Sequence, residues 1–187
     1  IRSSVGKFTP TINVITKKFI DEYLETELTK SPSGFTLNIE EFFARLAFRN
    51  FMMFSCTVDS SVDPAFEKKI CHLSSKGSFA VVRLILLKEP YLSIFPNARI
   101  VMQWNDLVRG YFNNCVAERK EKLANGEVFE DCLSELLKDQ TITDQERLDH
   151  WKTLIAAGHD TTAFFMAYMA YLLARHPAIQ DKLVAYL

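Results

Sequence analysis

Five residues in the middle of an apolar stretch (TLIAAGHDTTAFFMAYMAYLL, residues 153–173) are those best equipped for chemistry in this chain: Gly158, His159, Asp160, Thr161 and Thr162. A carboxyl group beside a hydroxyl can take up a proton, pass it on, and hold a small polar ligand by hydrogen bonding. The placement is costly. Glycine in a helix interior costs about 1 kcal/mol against alanine, and Asp and Thr are poor helix formers. A buried carboxylate without partners adds a further penalty. Conflict of this kind between pattern and composition is expected where function demands it.

Ala157 and Thr161 are four residues apart and therefore share a helix face. The spacing predicts that the Thr161 hydroxyl takes the Ala157 carbonyl as acceptor, competes with the backbone ladder and bends the helix. Gly158 would clear the side chain from the distortion. The expected result is a groove that admits a diatomic ligand or an ordered water, with Asp160 as an acid within reach. A membrane span over these residues is disfavoured, because an Asp at a bilayer centre costs roughly 2.5–3.5 kcal/mol. A non-enzymatic helical scaffold whose polar notch is a packing irregularity is the competing reading.

The elements that must hold this site read as helix after helix. Residues 10–30 carry Ile12, Ile15, Phe19, Tyr23 and Leu24 at helical spacing, and Ser31 to Gly34 break the pattern. Asn38 with Glu41 forms an expected capping box ahead of Phe42, Phe43, Leu46 and Phe54. Asp63-Pro64 opens a stretch through Phe66, Ile70 and Leu73, while residues 79–87 (FAVVRLILL) suit a strand or a buried helix, with helix favoured by their neighbours. Pro90 and Pro96 bracket a short apolar loop, YLSIF, at 91–95. A long helix over 97–123 presents Val101, Trp104, Leu107, Val108, Phe112 and Val116, ended by Asn125-Gly126. A short helix is expected over 128–139. Thr143 with Glu146 then caps the longest helix, from about Asp144 to Arg175, roughly 48 Å in length. That helix is expected to be buried through most of its length. His176-Pro177 stops it and starts another. The fold class is all-α, with one long central helix.

Composition narrows the classes. The 187 residues are 48% hydrophobic and 24% charged, enough apolar material for a core. Twenty-two Lys and Arg against 23 Asp and Glu leave a net charge of −1, so nothing points to nucleic acid. Fifteen Phe suggest a pocket for an apolar ligand. Cys56, Cys71, Cys115 and Cys132 lack metal-type spacing and read as free, buried thiols. No Glu-x-x-His occurs, which argues against a four-helix di-metal oxidase. His72, His150 and His176 read as structural or exposed, and Glu118 to Lys122 as a solvated, mixed-charge face.

Ala157-Gly158-His159-Asp160-Thr161-Thr162 resembles the oxygen-activation motif (A/G)-G-x-(D/E)-T-(T/S) of the cytochrome P450 haem-thiolate monooxygenases, and all six positions fit. The acidic short helix, the TDQE helix start and the HPAIQDKL continuation resemble that family's helices H, I and J. GKFTP and the helix after it resemble the end of helix C into D. The resemblance covers nearly the whole chain, from helix C/D to helix J, and the chain reads as an internal piece, residues 1–187 forming part of one domain. No cysteine stands in a setting like FxxGxRxCxG and no ExxR occurs, so both are expected beyond Leu187.

The resemblance implies an enzyme that activates O₂ on haem b, held by a cysteinate outside this chain, and hydroxylates an apolar organic substrate. Asp160 and Thr161 would be catalytic, Asp160 relaying protons and Thr161 holding the bound oxygen. Ala157, Gly158 and Thr161 would lie against the haem, and Thr153, Ala156 and Phe164 would touch substrate. No residue of this chain is expected to ligate the metal, and His159 should point away from the face of Thr161. Electrons would come ultimately from NAD(P)H through a reductase or a ferredoxin. Tyr91–Phe95 suits ordinary loop packing, a channel lip or a patch that dips into a bilayer. The compartment, endoplasmic reticulum membrane or cytoplasm, stays open, as does a membrane anchor preceding the chain. The isolated piece is not expected to be active.

Overall fold

The computed structural model describes residues 2–186 other than 32, 59–62, 89, 92 and 93; the side chains of 2–5 and 7 also lie outside the description. Among the described residues there are seven helices and no strand: α1 (Arg2–Lys30), α2 (Ile39–Cys56), α3 (Pro64–Leu87), α4 (Pro96–Ala124), α5 (Cys132–Lys138), α6 (Asp144–Arg175) and α7 (Pro177–Tyr186). α2 is the hub. It packs lengthwise on α6 and also touches α1, α3 and α5, while α3 lies along α4.

Local chemistry sets most helix ends. Thr143 accepts from the Glu146 amide and Glu146 returns a bond to the Thr143 backbone, a complete capping box for α6. Asp63 caps α3 through the Phe66 amide at 2.9 Å, with Pro64 as its first residue. Asn38 caps α2 through the Glu41 amide at 3.2 Å, but Glu41 turns its carboxylate toward Lys68, 3.8 Å away, rather than closing the box. Gly126, at φ 84°, ends α4 in the left-handed region that glycine enters freely.

Three boundaries and surfaces depart from expectation. α1 begins eight residues before Pro10, which it carries inside, forgoing one ladder bond. α5 starts at Cys132 rather than 128, because Asp131 stays extended to accept from the Ser134 amide. α6 is buried only as far as Ala163; beyond it Phe164, Phe165, Tyr168, Met169 and Tyr171 are exposed, since the helices that sheltered the first half do not follow it that far. The ambiguous 79–87 stretch is the second half of α3. By length and composition α3, rather than α6, is apolar enough to cross a membrane, yet Ile70, Leu73, Gly77 and Ala80 are buried in this fold. In the 91–95 loop, Tyr91 and Ile94 are exposed, while residues 92 and 93 lie outside the described residues.

The main core joins α2, α3, α4, α5 and α6 through Phe48, Met52, Ile70, Val108, Phe112, Leu133, Trp151 and Ile155. A smaller one, Phe19, Phe42 and Leu46, seats α1 on α2. Two buried charge networks pin these layers. Glu67, fully buried, gives one oxygen to Arg45 Nε at 2.7 Å and the other to Arg49 Nε at 2.9 Å, and Arg49 reaches on to Glu22 of α1 at 3.1 Å. The second network corrects the expectation of a solvated face at 118–122. Arg119 is only 3% exposed; its Nη1 lies 2.7 and 2.8 Å from the two Asp131 oxygens, its Nη2 donates to the Cys56 carbonyl, and its guanidinium lies over the Phe129 ring. Thr57, held at φ 51° where a β-branched residue is strained, donates to the same Asp131 at 2.7 Å.

Burial would raise the Asp131 carboxyl, but the Ser134 amide and the Thr57 and Arg119 donors outweigh it and hold its pKa below the ordinary carboxylate value. A depressed folded pKa contributes stability above the unfolded value, about 3.9, and loses it as pH falls through the folded one. Asp131→Asn, which strands Arg119, is therefore expected to cost about 3 kcal/mol at neutral pH. The deficit should narrow as the pH of chemical unfolding is taken below about 3.9, because the parent then loses the same contribution.

Candidate functional site

α6 presents three sides in its middle, each with a different neighbour. Leu148, Trp151, Ile155, His159 and Ala163 recur every three or four residues and are buried. A second side, Thr153, Ala157, Thr161 and Phe164, follows the same spacing and is uncovered along its length, Phe164 being 44% exposed. Between them Ala156 and Asp160 face α3 across a hollow.

The hydroxyls behave as their spacing predicts. Thr161 Oγ1 donates to the Ala157 carbonyl at 2.6 Å, Thr162 to Gly158 at 2.9 Å, and Thr153 to Asp149 at 2.8 Å. α6 stays continuous α-helix from Asp144 to Arg175 through these bonds. A cavity does lie beside the acid, but small side chains on neighbouring helices make it. Ser74, Gly77, Ser78 and Val81 of α3, Val101 and Trp104 of α4, and Ala156 and Asp160 of α6 enclose about 240 Å³ open on one side.

Asp160 is 9% exposed and has a polar neighbour at each oxygen. Ser78 Oγ donates to Oδ2 at 2.7 Å, and His159 Nδ1 lies 2.9 Å from Oδ1. Trp104 Nε1 donates to Ser74 Oγ at 2.9 Å, so the hollow has a polar floor as well as apolar walls. His159 points away from Thr161, as expected, with Nε2 3.0 Å from the Ala44 carbonyl of α2.

The structure thus brings Thr153, Ala157, Thr161 and Phe164 onto one strip and sets Ala156 with Asp160 beside it. Gly158 faces elsewhere, toward α2. Ser78, Trp104 and Phe51 are the partners that sequence reasoning missed. The small polar run Ser74, Ser75, Gly77 and Ser78 inside an apolar helix was the available signal for the first of these. No thiolate lies on the strip. Burial pushes the thiols of Cys56 and Cys115 up to about 11 and 12 and that of Cys71 higher still, and Cys132 opens α5. His72, His150 and His176 are exposed.

A family model described as cytochrome P450 matches residues 2–185 of this chain. Among curated proteins, the chain is 30% identical over 82 residues to the cytochrome P450 monooxygenase FUM15 of Gibberella moniliformis, covering 41% of this chain and 14% of that protein. It is 28% identical over 116 residues to the cytochrome P450 monooxygenase 91 of Postia placenta, covering 53% and 21% respectively. It is 35% identical over 83 residues to the cytochrome P450 4ae1 of Drosophila melanogaster, covering 38% and 17%. The matched part spans 14–21% of the length of these three relatives.

The Gly158 position has a measurable energetic signature. A Cβ built there would meet Phe51 Cδ2 at 2.9 Å and Cε2 at 3.1 Å. Alanine would gain about 1 kcal/mol of helix propensity, but overpacking costs roughly 1–3 kcal/mol, so the clash should win. Gly158→Ala is expected to lower unfolding stability by about 1 kcal/mol. In a Phe51→Ala background, where the ring is gone, the same substitution should turn neutral or stabilising.

Proposed function

This chain belongs to the cytochrome P450 family, and on that premise we propose that it forms the oxygen-side wall of a haem pocket in a monooxygenase acting on an apolar organic substrate. In this reading residues 1–187 are part of one larger domain, and the iron's cysteinate comes from outside them. The single observation that carries the proposal is the pairing of a buried carboxyl at a solvent-facing hollow with a hydroxyl, one residue on, at an uncovered strip.

The strip fits one face of a flat macrocycle: it is open, Ala157 keeps it slim, and Thr153 and Phe164 bracket it. Thiolate-ligated haem supplies O₂ binding and O–O cleavage when bound. The protein's own residues would bind, orient and move protons. Ala157 and Thr161 would lie against the haem, with Gly158 serving that approach indirectly by letting α6 settle on Phe51. Thr153, Ala156 and Phe164 would hold substrate against the strip. Thr161 would steady the oxygen end of the site. Its proton is committed to the Ala157 carbonyl, so donating outward costs that bond, about 1 kcal/mol. Asp160 would carry protons from the hollow to the strip. Haem b, reducing equivalents from NAD(P)H delivered by a reductase or ferredoxin, and association with a membrane through a segment outside this chain complete the proposal.

Two substitutions in the full-length enzyme test the roles separately. Thr161→Ala should leave reductant consumption running while the product falls and hydrogen peroxide rises; unchanged coupling removes Thr161 from its role. Asp160→Asn should slow the oxygen-dependent step by about 10²-fold, the lower range for general acid catalysis, with substrate affinity kept. An oxygen-dependent rate equal to the parent's removes Asp160 from the relay.

A further inference from the structure

We infer that His159 and Asp160 share one proton, so that the acid of the site is a loaded pair and not a bare carboxylate. The inference deepens the relay reading of Asp160 and, in its functional consequence, rests on it.

Proton accounting carries the argument. His159 is 0% exposed, so each ring nitrogen must be satisfied by protein. Nε2 lies 3.0 Å from the Ala44 carbonyl, which can only accept, so Nε2 bears a hydrogen. A neutral ring then has a lone pair at Nδ1. That atom is buried without a hydrogen bond of ordinary alignment, and the polar atom beside it is Asp160 Oδ1 at 2.9 Å. An ionised carboxylate there would set lone pair against lone pair away from water. One proton between the two atoms removes the conflict, whether it rests on Nδ1, giving imidazolium and carboxylate, or on Oδ1, giving two neutral groups. Either way the pair holds one proton more than a neutral ring beside a carboxylate, and its net charge is zero.

The surroundings suit this state. From α2 come the Ala44 carbonyl and the Phe48 ring, edge-on at 5.7 Å, neither of them charged. From α3 come the Cys71 thiol, which burial keeps neutral, and the Ser78 hydroxyl. Ser78 is exposed at the hollow and donates to the other carboxyl oxygen at 2.7 Å. A proton given up toward the strip can be replaced there: a hydrated proton in the hollow passes to the Ser78 oxygen as Ser78 hands its own proton to Asp160 Oδ2, and leaves as neutral water.

The test uses the full-length haem-loaded enzyme with ¹⁵N-labelled histidine rings, as its diamagnetic ferrous carbon monoxide form at neutral pH. His159 signals are identified by their loss in His159→Gln, whose amide can still donate to Ala44. We expect Nε2 protonated, and Nδ1 displaced from the position of an unprotonated ring nitrogen; Asp160→Ala should return Nδ1 to that position. An Nδ1 already unprotonated in the parent, and unmoved by Asp160→Ala, overturns the inference. His159→Gln should also slow the oxygen-dependent step several-fold with substrate affinity kept, and a rate equal to the parent's overturns the functional half. If Nδ1 behaves as expected but Asp160→Asn turns over like the parent, the relay reading falls and the shared proton stands. If Asp160→Asn is slow and Nδ1 is an ordinary unprotonated nitrogen, the shared proton falls and the relay stands.

Discussion

The close approach of α6 to α2, permitted at Gly158 by a missing side chain, governs how the whole site is turned. With the Phe51 ring filling the place of a Cβ, α6 is rotated so that His159 meets the Ala44 carbonyl and Trp151 enters the core, its indole donating to Cys56 Sγ at 3.2 Å. Helical periodicity does the rest. Once those residues face inward, Thr161 and Ala157 must face outward, and Asp160 must fall between, toward α3. A side chain at 158 would press on the Phe51 ring and strain this seating.

Around that contact the fold uses charge where many helical cores use only hydrocarbon. Glu67 between two arginines joins α1, α2 and α3, and Asp131 beneath Arg119 joins the α5 start to α4 and the end of α2. Such networks repay their desolvation only when every donor and acceptor is met. Here both carboxylates are met on both oxygens. Each carboxylate is held from more than one side, Glu67 by two arginines and Asp131 by Arg119 and Thr57, so each network ties several segments at once.

Much of this was legible in the sequence, and the illegible parts share a cause. Thr143 with Glu146 and Asp63 with Pro64 announce helix starts because a cap is local chemistry, complete within four residues. The motif at 157–162 was readable for the same reason, and so was the Thr161 bond to Ala157. Arg119 was not, because its partners lie 12 and 63 residues away along the chain, and its immediate neighbours are exposed charges. Ser78 lies 82 residues from Asp160, and the hollow between them exists only because α3, α4 and α6 converge. The Thr161 bond back to its own helix is absorbed with the α6 ladder continuous from Asp144 to Arg175.

Cys56, Cys71 and Cys115 share the main core with Trp151, and burial keeps all three as thiols instead of thiolates. An alkylating reagent needs the thiolate and needs to reach it, so attack must wait until the helices part. Cys132, only half covered at the head of α5, can be reached without that wait, although burial and Asp131 push its thiol up as well. The chain therefore carries its own clock: the lag between labelling of Cys132 and of the other three measures how often this core breathes.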